Sequence, residues 1–417
     1  MNNIYTISNE KFKSMYFSIN FTIEGDKKKI SQSSVLASVL GKSCEKYKTE
    51  KQIQEYLFSL YGANFDVGVE KIGDLYNIEF RCECINKKYL PKNIDVVNDI
   101  LEFLYNIIFK PKLTDGKFNE DIIIREKENV INKIREIKDD KLRFGIRKME
   151  ELMCKDEPFE TSVYGDEEEV SKVTPEIVLN SYNELLSKSC ITIIISGNLL
   201  GYDDLEERIK KIFNHKLDSG LDYRMLKYNI KKEHKKELVK ENISTVQSVL
   251  VYGLRLDNVT LDDFYKLNVY NAILGSTPSS KLFQNFREKE SLAYTVKSRY
   301  YRYKEMIIIY AGIEKENYEK AKVVLEKQIT DIKNGYIFDE EFKASKQNII
   351  SDLKEWNDSK IALSKMYISN MFAIKNNTLT LDEMIEKINN ITKQDIIDIA
   401  NKVSIEKIFF LGGESNA

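Results

Sequence analysis

The feature that most constrains the fold of this chain is a succession of helix and strand that occurs twice. Thr174-Pro-Glu-Ile177 has the pattern of a helix start, since Thr caps the first turn and Pro occupies the first helical position. The apolar run that follows ends in Ile195-Ser-Gly197 and predicts a buried strand. Thr392-Lys-Gln-Asp-Ile396 and a later run that ends in Phe410-Leu-Gly412 echo this order. The sequence therefore predicts two tandem, structurally similar domains.

Period-two alternation opens the first copy and predicts strands. From Tyr16 to Ile23, apolar side chains alternate with Ser18, Asn20 and Thr22, and this pattern is typical of a sheet covered on one face. Helical and strand patterns then follow up to the closing strand. The predicted elements are helices at 31–45, 50–61, 93–109 and 118–154 and strands at 63–69, 75–85 and 191–197.

The second copy repeats this order after a highly charged stretch. Its predicted elements are strands at 246–254, 306–313 and 408–412 and helices at 261–274, 317–338 and 340–372. Because strands are grouped apart from helices, the fold class is α+β, with each domain an antiparallel sheet covered by helices. We expect an N-terminal domain at 1–213, a charged linker at 214–242 and a C-terminal domain at 243–417.

Composition argues against several classes of protein. The chain has 417 residues, of which 42% are hydrophobic, and its 64 basic and 66 acidic residues nearly balance. Nucleic-acid binding normally requires a basic excess, so we expect none. No apolar run approaches the ~20 residues of a membrane span. Lys11 and Lys13 precede no hydrophobic signal-peptide core, and we expect a cytoplasmic protein that binds no membrane.

The five cysteines indicate a reducing compartment, because an odd number at irregular spacings is not a disulfide framework. Cys82 and Cys84 share the apolar face of a predicted strand. A Cys-x-Cys metal site needs two further soft ligands, and Cys44, Cys154 and Cys190 show no suitable spacing. We interpret Cys82 and Cys84 as core residues.

Arg287 and Tyr294 stand seven residues apart, where a polar helix gives way to a strand. A Gly/Ser-rich turn, Leu274-Gly-Ser-Thr-Pro-Ser-Ser280, precedes them, and an apolar strand that ends in Ala311-Gly-Ile313 follows. This combination resembles the C-terminal half of the pitrilysin/insulinase (M16) zinc metallopeptidases, in which such a turn precedes Arg-Glu-Lys-x-x-Leu-Ala-Tyr. The resemblance covers nearly the whole chain and implies the same two-domain α+β fold.

The resemblance also implies a zinc site on the first helix, and this chain lacks its ligands. The register of the apolar residues places Ser34 and Ser38 where the family has two histidines, and Ala37 where it has the glutamate base. Hydroxyl and methyl groups neither bind zinc at neutral pH nor accept a proton from its water. The third ligand would fall at Glu126 or Glu128, on a helix so charged that a solvated face is the simpler interpretation. We expect no metal in this chain.

The two histidines of the chain offer no substitute site. His215 and His234 are nineteen residues apart in the charged stretch and match no zinc-binding spacing. We interpret them as solvated linker residues.

Two functions are compatible with these residues. In the first, the chain is the non-catalytic subunit of a heteromeric M16 peptidase, whose partner chain carries the zinc. The resemblance then implies that Tyr294 donates a hydrogen bond to the substrate carbonyl oxygen that gains charge, and that Arg287 anchors a nearby carbonyl. From the residues alone, Tyr294 is also compatible with a packing residue, and Arg287 with a surface partner of Glu288 or Glu290.

In the second function, the chain is a peptide-binding or scaffold protein with no role in catalysis, as core subunits of respiratory complexes with this fold are. Ala63, Asn64 and Phe65 open a strand that corresponds to the family's edge strand, which accepts substrate by β-augmentation. An internal hairpin strand is the alternative interpretation of the same residues.

A narrower resemblance concerns the expected partner. The stretch Leu60-Tyr61-Gly-Ala-Asn64, together with the vacant zinc helix, is similar to the inactive member of a paired set of M16 proteins in Gram-positive bacteria. That set is described as associated with modification of translation elongation factor P. The resemblance implies a zinc-bearing M16 paralogue as partner and a peptide as substrate.

Overall fold

The computed structural model describes residues 3–213, 230–233, 235–243, 247–373 and 380–413. These residues form two compact units, each built on a five-stranded sheet that helices cover. The first unit takes its described residues from 3–135, 161–213 and 358–373, and the second from 136–160, 230–357 and 380–413. The predicted α+β class with two sheets is confirmed.

The two sheets have the same strand order. The strands are β1 (Ile4–Ser8), β2 (Ser14–Glu24), β3 (Asn64–Ile72), β4 (Leu75–Ile85), β5 (Leu113–Thr114), β6 (Lys117–Phe118), β7 (Cys190–Gly197), β8 (Glu237–Ile243), β9 (Ser248–Leu256), β10 (Ala293–Tyr301), β11 (Met306–Ile313) and β12 (Val403–Gly413). The first sheet runs β1-β7-β2-β4-β3 and the second β8-β12-β9-β11-β10, while β5 and β6 form a small separate hairpin. Corresponding strands therefore occupy corresponding places, as the sequence repeat predicts.

One edge strand of each sheet differs from the prediction. β1 pairs with β7, and β8 with β12, in parallel, whereas the other pairs are antiparallel. Neither β1 nor β8 is evident from sequence alternation. Strand β8 occupies the end of the predicted linker, and residues 214–229 of that linker lie outside the described residues.

The helices lie between these strands. In chain order they are α1 (Lys27–Leu40), α2 (Glu50–Ser59), α3 (Val97–Phe109), α4 (Glu120–Asp139), α5 (Lys141–Met153), α6 (Glu167–Ser171), α7 (Pro175–Lys188), α8 (Leu205–Phe213), α9 (Phe264–Asn271), α10 (Tyr318–Lys333), α11 (Asp339–Trp356), α12 (Lys360–Ala373), α13 (Leu381–Asn389) and α14 (Lys393–Ala400). Thr174 and Thr392 cap α7 and α14 through their hydroxyls, as predicted. No described helix is long and apolar enough to cross a membrane.

The two longest predicted helices are each two helices. Asp140 ends α4 and caps α5, since its carboxylate accepts hydrogen bonds from the backbone of Leu142 and Arg143. Residues 357–359 likewise separate α11 from α12. Helix α5 packs on β9, β11 and β12 in the second unit, and α12 packs on β2 and β7 in the first. Each half of the chain thus contributes one helix to the other half's sheet.

Helix α5 is fixed to the second sheet by close packing and buried charge. A Cβ on Gly253 would lie 2.5 Å from the sulfur of Met153, so glycine is what allows the helix to approach. Arg255, fully buried, pairs with Glu406 at 2.9 Å and donates to the Met153 carbonyl at 2.6 Å. Because the carboxylate and carbonyl acceptors satisfy the guanidinium, this charge is tolerated away from water.

Candidate functional site

Helix α1 presents the three residues that replace the family's zinc-binding positions. Asp26 starts the helix by accepting a hydrogen bond from the Lys29 backbone at 2.8 Å. Ser34 and Ala37 are each 2% exposed, and Ser38 is half-buried. Ala37 and Ser38 line two adjoining cavities, of about 220 and about 240 Å³, that lie along β3. The vacant positions therefore share one polar cleft.

Glu126, rather than Glu128, faces this cleft. Glu126 is 3% exposed and lines the larger cavity with Ala37 and Ser38, whereas Glu128 is exposed. The Glu126 carboxylate lies 3.0 Å from Arg125 Nε and 3.6 Å from Lys42 Nζ. Asn129 also donates to it, at 3.1 Å. Two cations and an amide therefore satisfy the carboxylate that would be the third zinc ligand.

Lys42 and Arg125 also form ion pairs with a second carboxylate, that of Glu50. Lys42 lies 3.2 Å from Glu50, and Arg125 lies 2.5 Å from it, so that two acids and two bases form a closed network. A zinc ion requires neutral imidazole, thiolate or free carboxylate ligands, and hydroxyls, a methyl and an ion-paired carboxylate do not meet that requirement. The residues present do not fit zinc. His215 and His234 lie outside the described residues.

Strand β3 forms one edge of the first sheet and carries two of the three predicted peptide contacts. Within the described chain it pairs only with β4, so it forms a hairpin with β4 but lies at the edge of the sheet, and the interpretation as an internal strand is wrong. Asn64 is exposed on this strand, and the Phe65 ring packs edge-to-face on Phe103 with ring centres 5.0 Å apart. Ala63 is buried just before the strand begins. The main chain of β3 is therefore an edge to which another strand could pair.

The first sheet also has a polar face that the sequence pattern does not identify as buried. The alternating pattern predicts that Ser18, Asn20 and Thr22 of β2 face solvent. In the structure they are at most 1% exposed. The Glu79 carboxylate accepts hydrogen bonds from Tyr16 at 2.9 Å and Ser18 at 2.6 Å. The expectation that only one face is covered is wrong, because α12 packs on this side of β2 and β7.

Hydrogen bonds join the rest of this polar face into a chain. Asn20 donates to Ser18 at 2.8 Å, and Asn77 donates to Asn20 and to Glu70, each at 2.9 Å. Buried polar groups are tolerated when they bond to one another in this way. We call these residues the polar ladder, which consists of Tyr16, Ser18, Asn20, Thr22, Glu70, Asn77 and Glu79. The only sequence signal for it is the set of polar positions in the alternating strands.

In the second unit, Arg287 and Tyr294 lie side by side. Arg287 belongs to a π-helical segment, Leu282–Lys289, of the kind that often occurs at functional sites. Its guanidinium carbon lies 4.6 Å from the ring centre of Phe283 and 5.9 Å from that of Tyr294. Arg287 is 3.5 Å from Glu288, and Glu290 pairs instead with a lysine. The guanidinium thus keeps a partly exposed position against two aromatic rings.

Tyr294 is held outward by an irregularity in strand pairing. In the ladder between β10 and β11, Ala293 pairs with Ile313 and Thr295 with Gly312, which leaves Tyr294 as an extra residue. Such bulges redirect a side chain and are common next to active sites. Tyr294 is 81% exposed, so it is not the half-buried packing residue that strand tyrosines often are.

The Gly/Ser-rich turn before the π-helical segment packs closely against neighbouring residues. A Cβ on Gly275 would lie 2.7 Å from Leu282 and 2.9 Å from the Ser298 hydroxyl. Lys281 is 3% exposed and pairs with Glu341 at 3.0 Å. Burial raises the pKa of Glu341, and Lys281 opposes this effect. The contacts of Gly275 and the ion pair of Lys281 therefore hold the residues that immediately precede the π-helical segment.

Comparisons with known proteins agree with this architecture. A family profile described as "Peptidase M16 inactive domain" matches residues 172–349. A "Probable inactive metalloprotease YmfF" from Bacillus subtilis is 27% identical over 414 residues, which cover 99% of this chain and 96% of the relative. An "Uncharacterized zinc protease YmxG" from the same strain is 24% identical over 249 residues, 58% of each chain.

A solved structure has the same fold throughout. The crystal structure of a conserved protein from Enterococcus faecalis superposes with a TM-score of 0.88 at 24% identity, and covers 99% of this chain and 97% of its own. The family match, the full-length relative and the residues at the zinc positions point in one direction. These matches support an inactive member of the M16 peptidase family.

Proposed function

We propose that this chain is the non-catalytic subunit of a heteromeric M16 zinc peptidase. In this proposal it binds peptide along β3 and supplies Arg287 and Tyr294 to the site of a zinc-bearing paralogue. The observation that carries the proposal is the pairing of an outward-directed phenol with a guanidinium in a chain whose α1 helix does not fit zinc.

The chemistry of the pair fits this role. The Tyr294 hydroxyl donates a hydrogen bond to the substrate carbonyl oxygen, and this bond strengthens as the oxygen acquires negative charge in the tetrahedral intermediate. Arg287 holds a neighbouring carbonyl before and during the reaction. Loss of one such donor typically costs about 2.7–4 kcal/mol of transition-state stabilisation. Neither residue replaces the metal, which the paralogue provides.

The existence of two kinds of relative supports a paired arrangement. Bacillus subtilis has both a relative named as an inactive metalloprotease and one named as a zinc protease. The test is to co-express this chain with a similar-length M16 chain from its own genome that has His-x-x-Glu-His. Co-elution in size-exclusion chromatography, with peptidase activity that neither chain has alone, is the expected result. Two chains that elute separately and show no joint activity would contradict the proposal.

A peptide-binding or scaffold protein is the second candidate. The observation that favours it is that β3 and both adjoining cavities belong to the first unit, so peptide capture requires neither Arg287 nor Tyr294. A genome that lacks a neighbouring gene for a His-x-x-Glu-His chain, together with peptide binding by this chain alone, would favour this candidate.

A further inference from the structure

Strand β10 is an open edge of the second sheet. Within the part of the chain that the structure describes, β10 pairs only with β11, so the other side of its main chain has no strand partner. The strand begins at Ala293, at the bulge that directs Tyr294 outward. An unpaired edge offers main-chain N–H and C=O groups to a further strand. A peptide that reaches Tyr294 therefore meets, in the same strand, an edge with which it can pair.

One face of β10 is covered. Val296 and Ser298 are buried on this face, and the Ser298 hydroxyl donates to the Asn271 side chain at 2.7 Å. Helix α9 and the π-helical segments Ala272–Ser276 and Leu282–Lys289 pack against the strand there. The exposed positions of β10 are on the opposite face.

Two cations occupy the exposed face, and we call them the cationic row. Lys297 and Arg299 stand at alternate positions, are exposed, and pair across the strands with Tyr310 and Ile308 of β11. The Arg299 guanidinium carbon lies 5.0 Å from the ring centre of Tyr301. Neither cation forms an ion pair with a carboxylate among the described residues. The row is therefore matched by an aromatic and an aliphatic side chain rather than by an acid.

The acids near the cationic row are engaged by other groups. Glu150 of α5 accepts a hydrogen bond from the Tyr301 hydroxyl at 2.9 Å and pairs with Arg147 at 2.5 Å. The acids that precede the strand are likewise engaged, Glu288 by Arg287 and Glu290 by Lys320. In the described residues, the row thus keeps a positive charge that no acid neutralises directly.

Charged residues on an edge strand also protect a sheet from pairing with other chains. Protection does not require the charges to lack acidic partners. On β3, the other open edge discussed above, Asp66 is paired with Arg81 of the neighbouring strand, at 3.0 Å from its Nε. The absence of such a partner for Lys297 and Arg299 among the described residues favours an acidic ligand.

We propose that β10 binds an extended peptide with acidic side chains at alternate positions, through main-chain pairing at the edge and ion pairs with Lys297 and Arg299. The inference rests on the proposed function only in identifying this peptide as a substrate, since pairing at β10 needs this chain alone. Directly opposite side chains of paired strands lie about 4.5–5.5 Å apart on the same face. Two carboxylates two residues apart therefore reach both cations, and the adjoining peptide residues lie near Tyr294.

The experiment uses the full chain and three fluorescein-labelled peptides that differ at two positions two residues apart. These positions are both Glu, both Gln or both Lys in an otherwise identical sequence of alternating Thr and Val. We expect fluorescence anisotropy to give a Kd roughly 2–30-fold lower for the Glu peptide than for the Gln peptide, and the highest Kd for the Lys peptide.

Matched variants test the two cations. Lys297→Gln combined with Arg299→Gln should bring the ratio of the Glu and Gln Kd values close to one. Lys343→Gln combined with Lys354→Gln makes the same change in net charge at two exposed lysines of α11, and should leave the ratio unchanged.

Hydrogen exchange measured by mass spectrometry locates the bound peptide. The Glu peptide should slow exchange of main-chain amides within Ala293–Tyr301. Methylation of the peptide nitrogens at alternate residues should abolish binding for one of the two alternating sets and spare the other, because pairing along one edge uses only one set. Binding that survives both sets of methylation would show attraction between charges without strand pairing, and would overturn the inference.

Two further outcomes would overturn the inference. One is an equal Kd for the Glu and Gln peptides, in which case the row serves edge protection and its loss should cause self-association. The other is protection of Asn64–Ile72 of β3 without protection of β10. The co-expression test of the proposed function is separate. A chain that prefers the Glu peptide at β10 but forms no active complex would keep this binding site and lose its assignment to a peptidase substrate.

Discussion

The guanidinium carbon of Arg287 lies 5.9 Å from the ring centre of Tyr294, on the partly exposed side of the π-helical segment. Arginine over an aromatic face is stabilised by the ring quadrupole, and this contact does not use the phenol hydroxyl. The hydroxyl therefore remains available to a substrate. This arrangement is what an accessory chain needs if it acts on chemistry performed by another.

Replacing Tyr294 with Phe should lower kcat of the complex with the zinc-bearing paralogue by about 10²–10³-fold, with a smaller effect on KM. The reason is that the phenol bond strengthens only as the carbonyl becomes an oxyanion. Arg287→Ala should damage both constants, because anchoring precedes the transition state. Steady-state kinetics on complexes verified by size-exclusion chromatography provide the measurement. Tyr336→Phe, an exposed tyrosine elsewhere in the second unit, is the matched control, and unchanged turnover by Tyr294→Phe would favour the scaffold function.

The isolated chain should bind no stoichiometric zinc, and the triple change Ser34→His, Ala37→Glu and Ser38→His should not restore an efficient peptidase. Glu126 already has cationic partners, and the residues that orient ligand imidazoles are expected to be absent. Adding Lys42→Met should strengthen zinc uptake, because it removes one of the two cations that pair with Glu126. Elemental analysis and calorimetry measure zinc binding by the unaltered chain and by the variants. One tightly held zinc per unaltered chain, or ordinary peptidase turnover by the triple variant, would refute this expectation.

Gly165→Ala should destabilise the first unit by several kcal/mol. The φ of Gly165 is +88°, and a Cβ would lie 2.5 Å from the Ser31 backbone on α1, so that strain and overlap add. Gly116→Ala is the control, since φ is +74° with no heavy atom within 4 Å, and only the strain of about 1–3 kcal/mol applies. Denaturant unfolding measures the difference. Equal losses for the two variants would show that α1 moves away without cost.

Glu70→Gln should raise the stability of the protein at neutral pH and have little effect in acid. The pKa of Glu70 is raised in the folded chain, mainly by burial and then by Glu79. A raised carboxyl pKa favours the protonated form in the folded protein. The contribution of Glu70 to the free energy of unfolding is therefore full below its pKa in the unfolded chain, and is lost as the pH rises through its pKa in the folded chain. The neutral amide removes that loss and still accepts from Asn77. Thermal unfolding from pH 4 to 7 measures the difference in stability between the variant and the unaltered protein. A stability difference that does not change with pH would exclude the titration of Glu70 as its cause.

Local pattern predicts much of this fold because capping and alternation are properties of neighbouring residues. Thr174 and Thr392 cap their helices as expected, and the hydroxyl and methyl residues of α1 are visible without coordinates. The pairing of Lys42 with Glu126 is not, because it joins residues far apart in sequence. Ser18 appeared solvent-facing for the same reason, since the helix that covers it lies more than three hundred residues later. The absence of zinc ligands from α1 is therefore predictable from the sequence, whereas the ion pairs of Glu126 are not.

A ribosome that has made residues 3–213 has produced every strand of the first sheet but not α12, which begins at Lys360. At ~5–20 residues per second, the remaining 160 residues up to 373 take roughly 8–30 s. During that interval the part of the uncovered face formed by β2 exposes Ser18, Asn20 and Thr22 to water. Nascent chains aggregate through exposed hydrophobic area. Polar residues on the sheet face that α12 will later cover reduce this hazard before α12 has been synthesised. The polar ladder thus suits the order of synthesis as well as the finished protein.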